Sequence, residues 1–137
     1  MGLEDYLLAA VLRGVLAQRL VRRLCTNCRR EEEVPPPMAG HFGLERLTDR
    51  RPMTHWRPVG CPECRNTGYR GRRAIAEFLI PDATTVGLIL SRAEESDIER
   101  AAVASGMMTM LDAGLRDVLE GHTTFEEVLR NTRAEAF

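Results

Sequence analysis

The sequence predicts an α+β chain, mainly α, whose first half does not close a core of its own. Three observations lead there. A helical apolar pattern gives way to an alternating one before residue 25, and a second apolar strand pattern returns only at 73–80. Between them lie two Cys-x-x-Cys pairs separated by a proline-rich stretch. After Pro81 come four short segments, each with its own helix start and stop residues.

Residues 3–17 read as a helix. Leu8, Val11, Leu12 and Val15 repeat at the i, i+3, i+4, i+7 spacing, and Leu3, Leu7 and Leu16 widen the stripe. Glu4 and Asp5 suit the positive end of the helix dipole. Gly14 weakens a helix there and points to close packing against a neighbour. Residues 18–24 alternate as a strand, with Leu20, Arg22 and Leu24 on one side. A helix continuing to Leu24 is the competing reading, because Leu16, Leu20 and Leu24 are also helically spaced. The stretch 29–60, with Glu31–Glu33, Pro35–Pro37, Pro52 and Pro58, is expected to be mainly loop, with one short helix around Leu44. Trp56 is expected to pack on this module. Residues 65–73 form a turn punctuated by Gly68 and Gly71, which tolerate positive φ. Residues 73–80 form a strand closed by Pro81. Asp82 caps a helix to about Ser91, and Ser96 caps Asp97–Ser105 with Gly106 as its stop. Thr109 caps Met110–Glu120, ended by Gly121, and Thr124 with Glu127 forms a capping box for a last helix to about Arg133.

The four cysteines form two knuckles, Cys25-Thr26-Asn27-Cys28 and Cys61-Pro62-Glu63-Cys64. Each knuckle can offer two thiolates to one cation, and two complete a tetrahedral shell. Zinc favours this all-sulfur set, and the closed shell leaves no position for catalysis. Iron or two disulfides are the alternatives, but a disulfide within a CxxC pair staples almost nothing. A structural zinc contributes on the order of 10 kcal/mol or more, enough to order a long excursion with little apolar surface.

At 137 residues the chain can hold one domain or two small ones, and its 44% apolar content supports a core filled mostly by aliphatic side chains, since aromatics are 5%. No apolar run reaches bilayer length, no secretory leader pattern opens the chain, and the cysteine usage fits a reducing cytosol. All nineteen basic residues are arginine. Without a lysine and a GxxxxGK[ST] run, no conventional nucleotide triphosphatase site can be built from these residues. Residues 1–80 carry a net +5 and residues 81–137 a net −6. A tetrathiolate zinc would leave the first part at about +3. Such asymmetry suggests separate units and a basic face near the knuckles.

That face draws on Arg22, Arg23, Arg29, Arg30, Arg65, Arg70, Arg72 and Arg73. They suit a partner-docking surface or anionic lipid head groups; the plainer reading is a solvated face ion-paired with Glu31–Glu33. Tyr69 beside them also suits a zinc-ribbon nucleic-acid module, with one base stacked on the ring. The acidic tail and a pI near 6.3 make nucleic acid the weaker reading. His41, His55 and His122 are expected to be solvated or capping, and Met107, Met108 and Met110 to fill a core.

LRGVLAQRLVRRLC at 12–25 and GCPECRNTGYRGRRAIAEFL at 60–79 resemble the C-terminal part of the type II secretion and type IV pilus assembly ATPases. Ala104–Met110 with Gly114-Leu115, and Gly121–Arg130, resemble that family's "GM.TL..DGL" and "GxTTxEEVLR" stretches. Asp112-Ala113-Gly114 departs from the Asp-Asp-Gly of many relatives. The resemblance covers nearly the whole chain. It implies a hexameric RecA-like ATPase at the cytoplasmic face of the inner membrane, moving a pseudopilus or pilus. Residues 1–24 and 65–80 would then be the end of the RecA-like domain, 25–64 the tetracysteine zinc module, and 81–137 a helical C-terminal subdomain. Zinc would be held by Cys25, Cys28, Cys61 and Cys64, with no catalytic or nucleotide-binding residue in this chain; ATP and magnesium would belong to the full-length protein. Implied partners are other hexamer subunits, the inner-membrane platform protein and the cytoplasmic domain of a bitopic anchor protein. Gln18 and Arg19 match the family's "QRL" and would contact the nucleotide domain or a neighbouring subunit, or serve as a strand-edge ion pair.

Overall fold

The computed structural model describes residues 4–132. Helix α1 (Asp5–Val11) is followed by strand β1 (Val15–Leu24), β2 (Arg30–Glu33), α2 (Pro36–Phe42), β3 (Thr54–Arg57) and β4 (Tyr69–Leu79). Four helices complete the order: α3 (Ala83–Leu90), α4 (Glu95–Ala104), α5 (Met110–Leu119) and α6 (Phe125–Thr132). Two small antiparallel sheets form, β1 with β4 and β2 with β3. The α+β class is as expected.

The chain divides into two compact units, one of Glu77–Thr109 with the residues up to Ala17, the other of Gln18–Ala76 with the residues from Met110 on. The division falls within β1 and β4. It does not follow the ranges drawn from the sequence. Helices α3 and α4 belong to the first unit, and α5 and α6 to the unit that holds the cysteines.

In the first unit, α1 is shorter than the 3–17 helix expected, and Leu3 lies outside the described residues. The chain leaves helix at Leu12 and is already a strand at Val15. The i, i+3, i+4 spacing of Leu12 and Val15 was therefore misleading: pairing with β4 overrides a helical preference that Gly14 had already weakened. Gly14 does mark a close approach, since a Cβ there would meet Phe78 Cζ at 2.8 Å. Asp82 caps α3 as expected. Its Oδ1 accepts from Thr85 N at 2.9 Å, Thr85 Oγ1 accepts from Asp82 N at 2.8 Å, and Ser105 Oγ donates to Asp82 Oδ2 at 2.6 Å. Helix α4 starts at Glu95 with Glu94 at its N-cap, not at Ser96. Met108 is exposed rather than in a core.

In the second unit, the stretch between the knuckles is far more regular than a loop. Glu33 pairs with Thr54, Glu32 with His55, Glu31 with Trp56 and Arg30 with Arg57. The proline run opens a helix instead of preventing one: Pro36 and Pro37 occupy the first positions of α2, where no intrahelical N–H is needed. Gly43, at φ 59°, ends α2, and a single 3-10 turn follows at Leu44–Arg46, close to the short helix expected around Leu44. These residues bury Val34, Ala39 and Leu44 against Leu115, Val118 and Leu119 of α5 and Phe125 and Val128 of α6. Gly114 lets α5 and α6 approach; a Cβ there would lie 2.6 Å from Val128 Cγ1. Strand β4 begins at Tyr69, four residues before the strand expected, and carries Gly71 at φ 81° within it.

Candidate metal centre

The first knuckle follows β1 directly. Cys25 N donates to Gly68 O at 3.0 Å, so backbone bonding between the β1 and β4 arms runs up to the first knuckle. The second knuckle is a 3-10 turn, Pro62–Cys64, after which Arg65 and Asn66 both take positive φ. These turns bring the two pairs together: the four Sγ atoms all lie within 4.8 Å of one another. Cys25 and Cys61 are 3.8 Å apart, Cys28 and Cys64 3.8 Å, and Cys61 and Cys64 3.7 Å. A regular tetrahedron of sulfurs around a cation at about 2.3 Å has edges of about 3.8 Å. A disulfide would need about 2.05 Å. The cluster therefore has the size of a tetrathiolate shell.

The surroundings suit negative sulfur. Gly60 N donates to Cys28 Sγ at 3.3 Å, and Asn27 Nδ2 to Cys61 Sγ at 3.3 Å. Cys64 Sγ receives the N–H of Gly68 at 3.2 Å and of Cys61 at 3.3 Å. Burial pushes the Cys64 thiol up, but those N–H groups and the neighbouring sulfurs bring it down to about 6. For Cys28 the Gly60 N–H acts downward, yet desolvation and the other three sulfurs push it up to about 11. The Asn27 amide lowers Cys61, against its desolvation. Thiolates held this close repel one another, and a divalent cation among them would offset that repulsion.

The predicted basic cluster is largely put to structural use. Arg22 lies 4.0 Å over the Tyr69 ring, and its Nε meets Glu127 Oε1 at 2.7 Å. Arg29 lies 5.2 Å over Trp56 and its Nη1 donates to Gly121 O. Arg73 pairs with Asp117 at 2.7 Å. Arg70 reaches Glu63 at 4.0 Å. Arg23, Arg30, Arg65 and Arg72 are exposed. The glutamates expected to pair with this cluster take other partners, Glu31 with Arg50 and Glu32 with Arg57. Tyr69 is engaged on its face by Arg22 and at its hydroxyl by Thr124 Oγ1, 3.0 Å away. Gln18 and Arg19 are exposed on β1, and Arg19 Nη1 donates to Gln18 O.

No histidine joins the sulfurs. His55 packs against Phe125, with ring centroids 5.3 Å apart, and is not solvated as expected; its burial lowers its pKa. His41 stands edge-on to Phe42 and His122 faces Glu120 at 3.4 Å. Asp117, Glu120 and His122 also converge, but Arg73 already holds the Asp117 carboxylate.

Sequence reasoning missed the residues that bind the segment before α6 to the first knuckle. Thr124 Oγ1 accepts from Glu127 N at 3.2 Å, so half of the expected capping box is present. The Glu127 side chain does not reach back to Thr124. It turns to β1, where Oε2 accepts from Arg22 N at 3.0 Å. Burial raises the Glu127 pKa, but the Arg22 backbone and guanidinium outweigh that and lower it. Leu24 N donates to His122 O at 2.8 Å, and Thr123 Oγ1 to Arg22 O at 2.7 Å. The signal was available in the run Thr123-Thr124-x-Glu-Glu, but its partner lies 105 residues away.

No described helix is long and apolar enough to cross a membrane. Comparison with known proteins places these residues in context. The profile of the family described as "Type II/IV secretion system protein" matches residues 1–130. The Type II secretion system protein HxcR of Pseudomonas aeruginosa is 44% identical over 97% of this chain and 24% of its own length. The Type II secretion system ATPase E of Vibrio cholerae is 39% identical over 97% of this chain and 26% of its own. The Type IV pilus assembly ATPase TfpB of Acinetobacter baylyi is 39% identical over 95% and 22% respectively. The chain thus spans about a quarter of the length of these relatives. It belongs to the type II/IV secretion system protein family.

Proposed function

We propose that the chain is the zinc-binding, force-coupling region of a secretion ATPase, and that Cys25, Cys28, Cys61 and Cys64 hold one structural zinc. The observation that carries the zinc assignment is the near-tetrahedral spacing of four sulfurs, three of which receive N–H groups. Zinc when bound supplies no catalysis here; it fixes the two knuckles and neutralises their thiolates. The region itself turns over no ATP, having neither lysine nor a phosphate-binding loop. In the full-length protein, ATP and magnesium act in a RecA-like domain of which α1, β1 and β4 form the closing part. The exposed Tyr6, Val11, Leu16, Phe78 and Ile80 support that reading, because so many large apolar side chains left in water within one unit suit a covering domain.

The motor is a hexamer on the cytoplasmic face of the inner membrane that drives a pseudopilus in type II secretion. Its partners are the membrane platform protein and the cytoplasmic domain of a bitopic anchor protein, with anionic lipid head groups near the exposed arginines. Relatives named for type II secretion and for pilus assembly support the same motor, so pilus assembly is the near alternative. A nucleic-acid module is disfavoured, since Tyr69 is already covered on one face. Metal analysis of the purified chain is the test: about one zinc per chain is expected for a single closed site. A metal-free chain with full tertiary structure and four freely reactive thiols would sink the assignment.

A further inference from the structure

The first knuckle is bracketed by two residues that hold the same distant segment. Leu24, just before Cys25, donates its N–H to His122 O, and Arg29, just after Cys28, donates to Gly121 O. Three further contacts continue the line: Thr123 Oγ1 to Arg22 O, the Tyr69 and Thr124 hydroxyls, and Glu127 with the backbone and guanidinium of Arg22. Gly121 is at φ 86°, and a Cβ on it would stand 2.6 Å from Arg29 Nη1 and 3.0 Å from Trp56. Thr123 and Glu127 are almost fully buried. The segment is thus held at several points by residues that flank or precede Cys25 and Cys28.

We propose that residues 121–127 form a latch whose seating is thermodynamically coupled to metal occupancy of the cysteine centre, so that loading the metal locks α6 down and losing it frees α6. The proposal rests on the metal-binding reading above. A metal fixes residues 25–28, and with them the Leu24 N–H and the start of the Arg29 side chain. These donors are then already ordered when the segment docks, so less conformational entropy is lost. Without the metal the same donors must be ordered by the latch alone. Coupling of this kind is reciprocal: whatever factor metal gives to latching, latching gives to metal affinity.

The site is therefore readable from residues that touch no sulfur. Thr123→Val and Glu127→Gln each remove a latch contact while leaving the cysteines and their N–H donors intact. Zinc affinity is measured by competition with a chromophoric chelator, on the parent chain and each variant. Trp56, the one tryptophan in the sequence, stands against Gly121 and reports seating by its emission. Each variant is expected to weaken zinc binding by about fivefold or more, the lower end of couplings between linked sites. A smaller change in a variant that still binds zinc stoichiometrically overturns the latch and leaves the metal assignment standing. A parent chain that binds no zinc overturns both. Hydrogen exchange on the parent chain guards against variants that misfold. Stripping zinc is expected to speed exchange in 121–132 while Leu115 and Val118 of α5 keep their protection. Unchanged exchange in 121–132, or equal loss across α5 and α6, overturns the latch in favour of an uncoupled segment or simple unfolding.

Discussion

Glu127→Ala removes a side chain that is 3% exposed and accepts from Arg22 N at 3.0 Å and Arg22 Nε at 2.7 Å. The two lost contacts differ in weight. The Arg22 N–H is left in a partly buried place without its acceptor, which costs about 1–3 kcal/mol. The guanidinium is 45% exposed and can turn to water, so its ion pair is discounted to about 1 kcal/mol. The expected loss is about 2–4 kcal/mol in urea unfolding of the second unit. Glu127→Gln keeps one carbonyl acceptor and should lose about half of that. The pH dependence has a definite sign. Arg22 lowers the Glu127 pKa in the folded protein, so the stabilisation is complete above the ordinary glutamate value of about 4.3 and fades as pH falls through the folded value. The gap between parent and Glu127→Gln should therefore close in acid. An Arg22→Ala, Glu127→Ala double-mutant cycle measures the coupling. A loss under about 0.5 kcal/mol, or strict additivity, would falsify the role assigned to this pair.

Serine at Cys25, Cys28, Cys61 or Cys64 should abolish stoichiometric zinc, as read by metal analysis, whereas His122→Ala should retain it. Gly114→Ala should destabilise by about 1–2 kcal/mol in chemical unfolding, because Val128 blocks the new methyl group and overpacking outweighs the gain in helix propensity. Gly14→Ala should be milder, because the atom it meets belongs to Phe78, an exposed ring that can move. Burial lowers the His55 pKa, so stability should fall as pH drops below about 6.5, where the unfolded chain takes up the proton first. His55→Phe should flatten that part of the profile.

The cysteine cluster was legible because its signal is local and chemical: two fixed spacings mark four cysteines that belong together, and the structure brings those four sulfurs within 4.8 Å of one another. Two of the caps were nearly as clear, since Asp82 and Thr124 act as their residue types require, whereas Ser96 does not cap α4. What failed was long-range. Leu12 and Val15 carry a helical spacing, yet β4 recruits Val15 into a strand, and nothing between residues 12 and 17 announces a partner so distant in the chain. Pro35–Pro37 read as a loop because prolines break helices, although at the first turn they start one. Glu127 was read through its nearest neighbour in sequence, whereas the stronger acceptor demand came from Arg22. The partition of four helices into two pairs could not be read from capping residues, which set where a helix begins and not what it packs upon.

The strand β2 is written Arg-Glu-Glu-Glu, all four residues exposed, a composition that hides a strand from any hydrophobic pattern. Among the described residues its sheet has two members, so β2 is an edge strand of the kind that could template another chain. Three consecutive carboxylates make that costly, since a second copy stacking edge to edge would bring like charges into register. The glutamates that concealed the hairpin thus also disfavour edge-to-edge pairing of two copies of this strand.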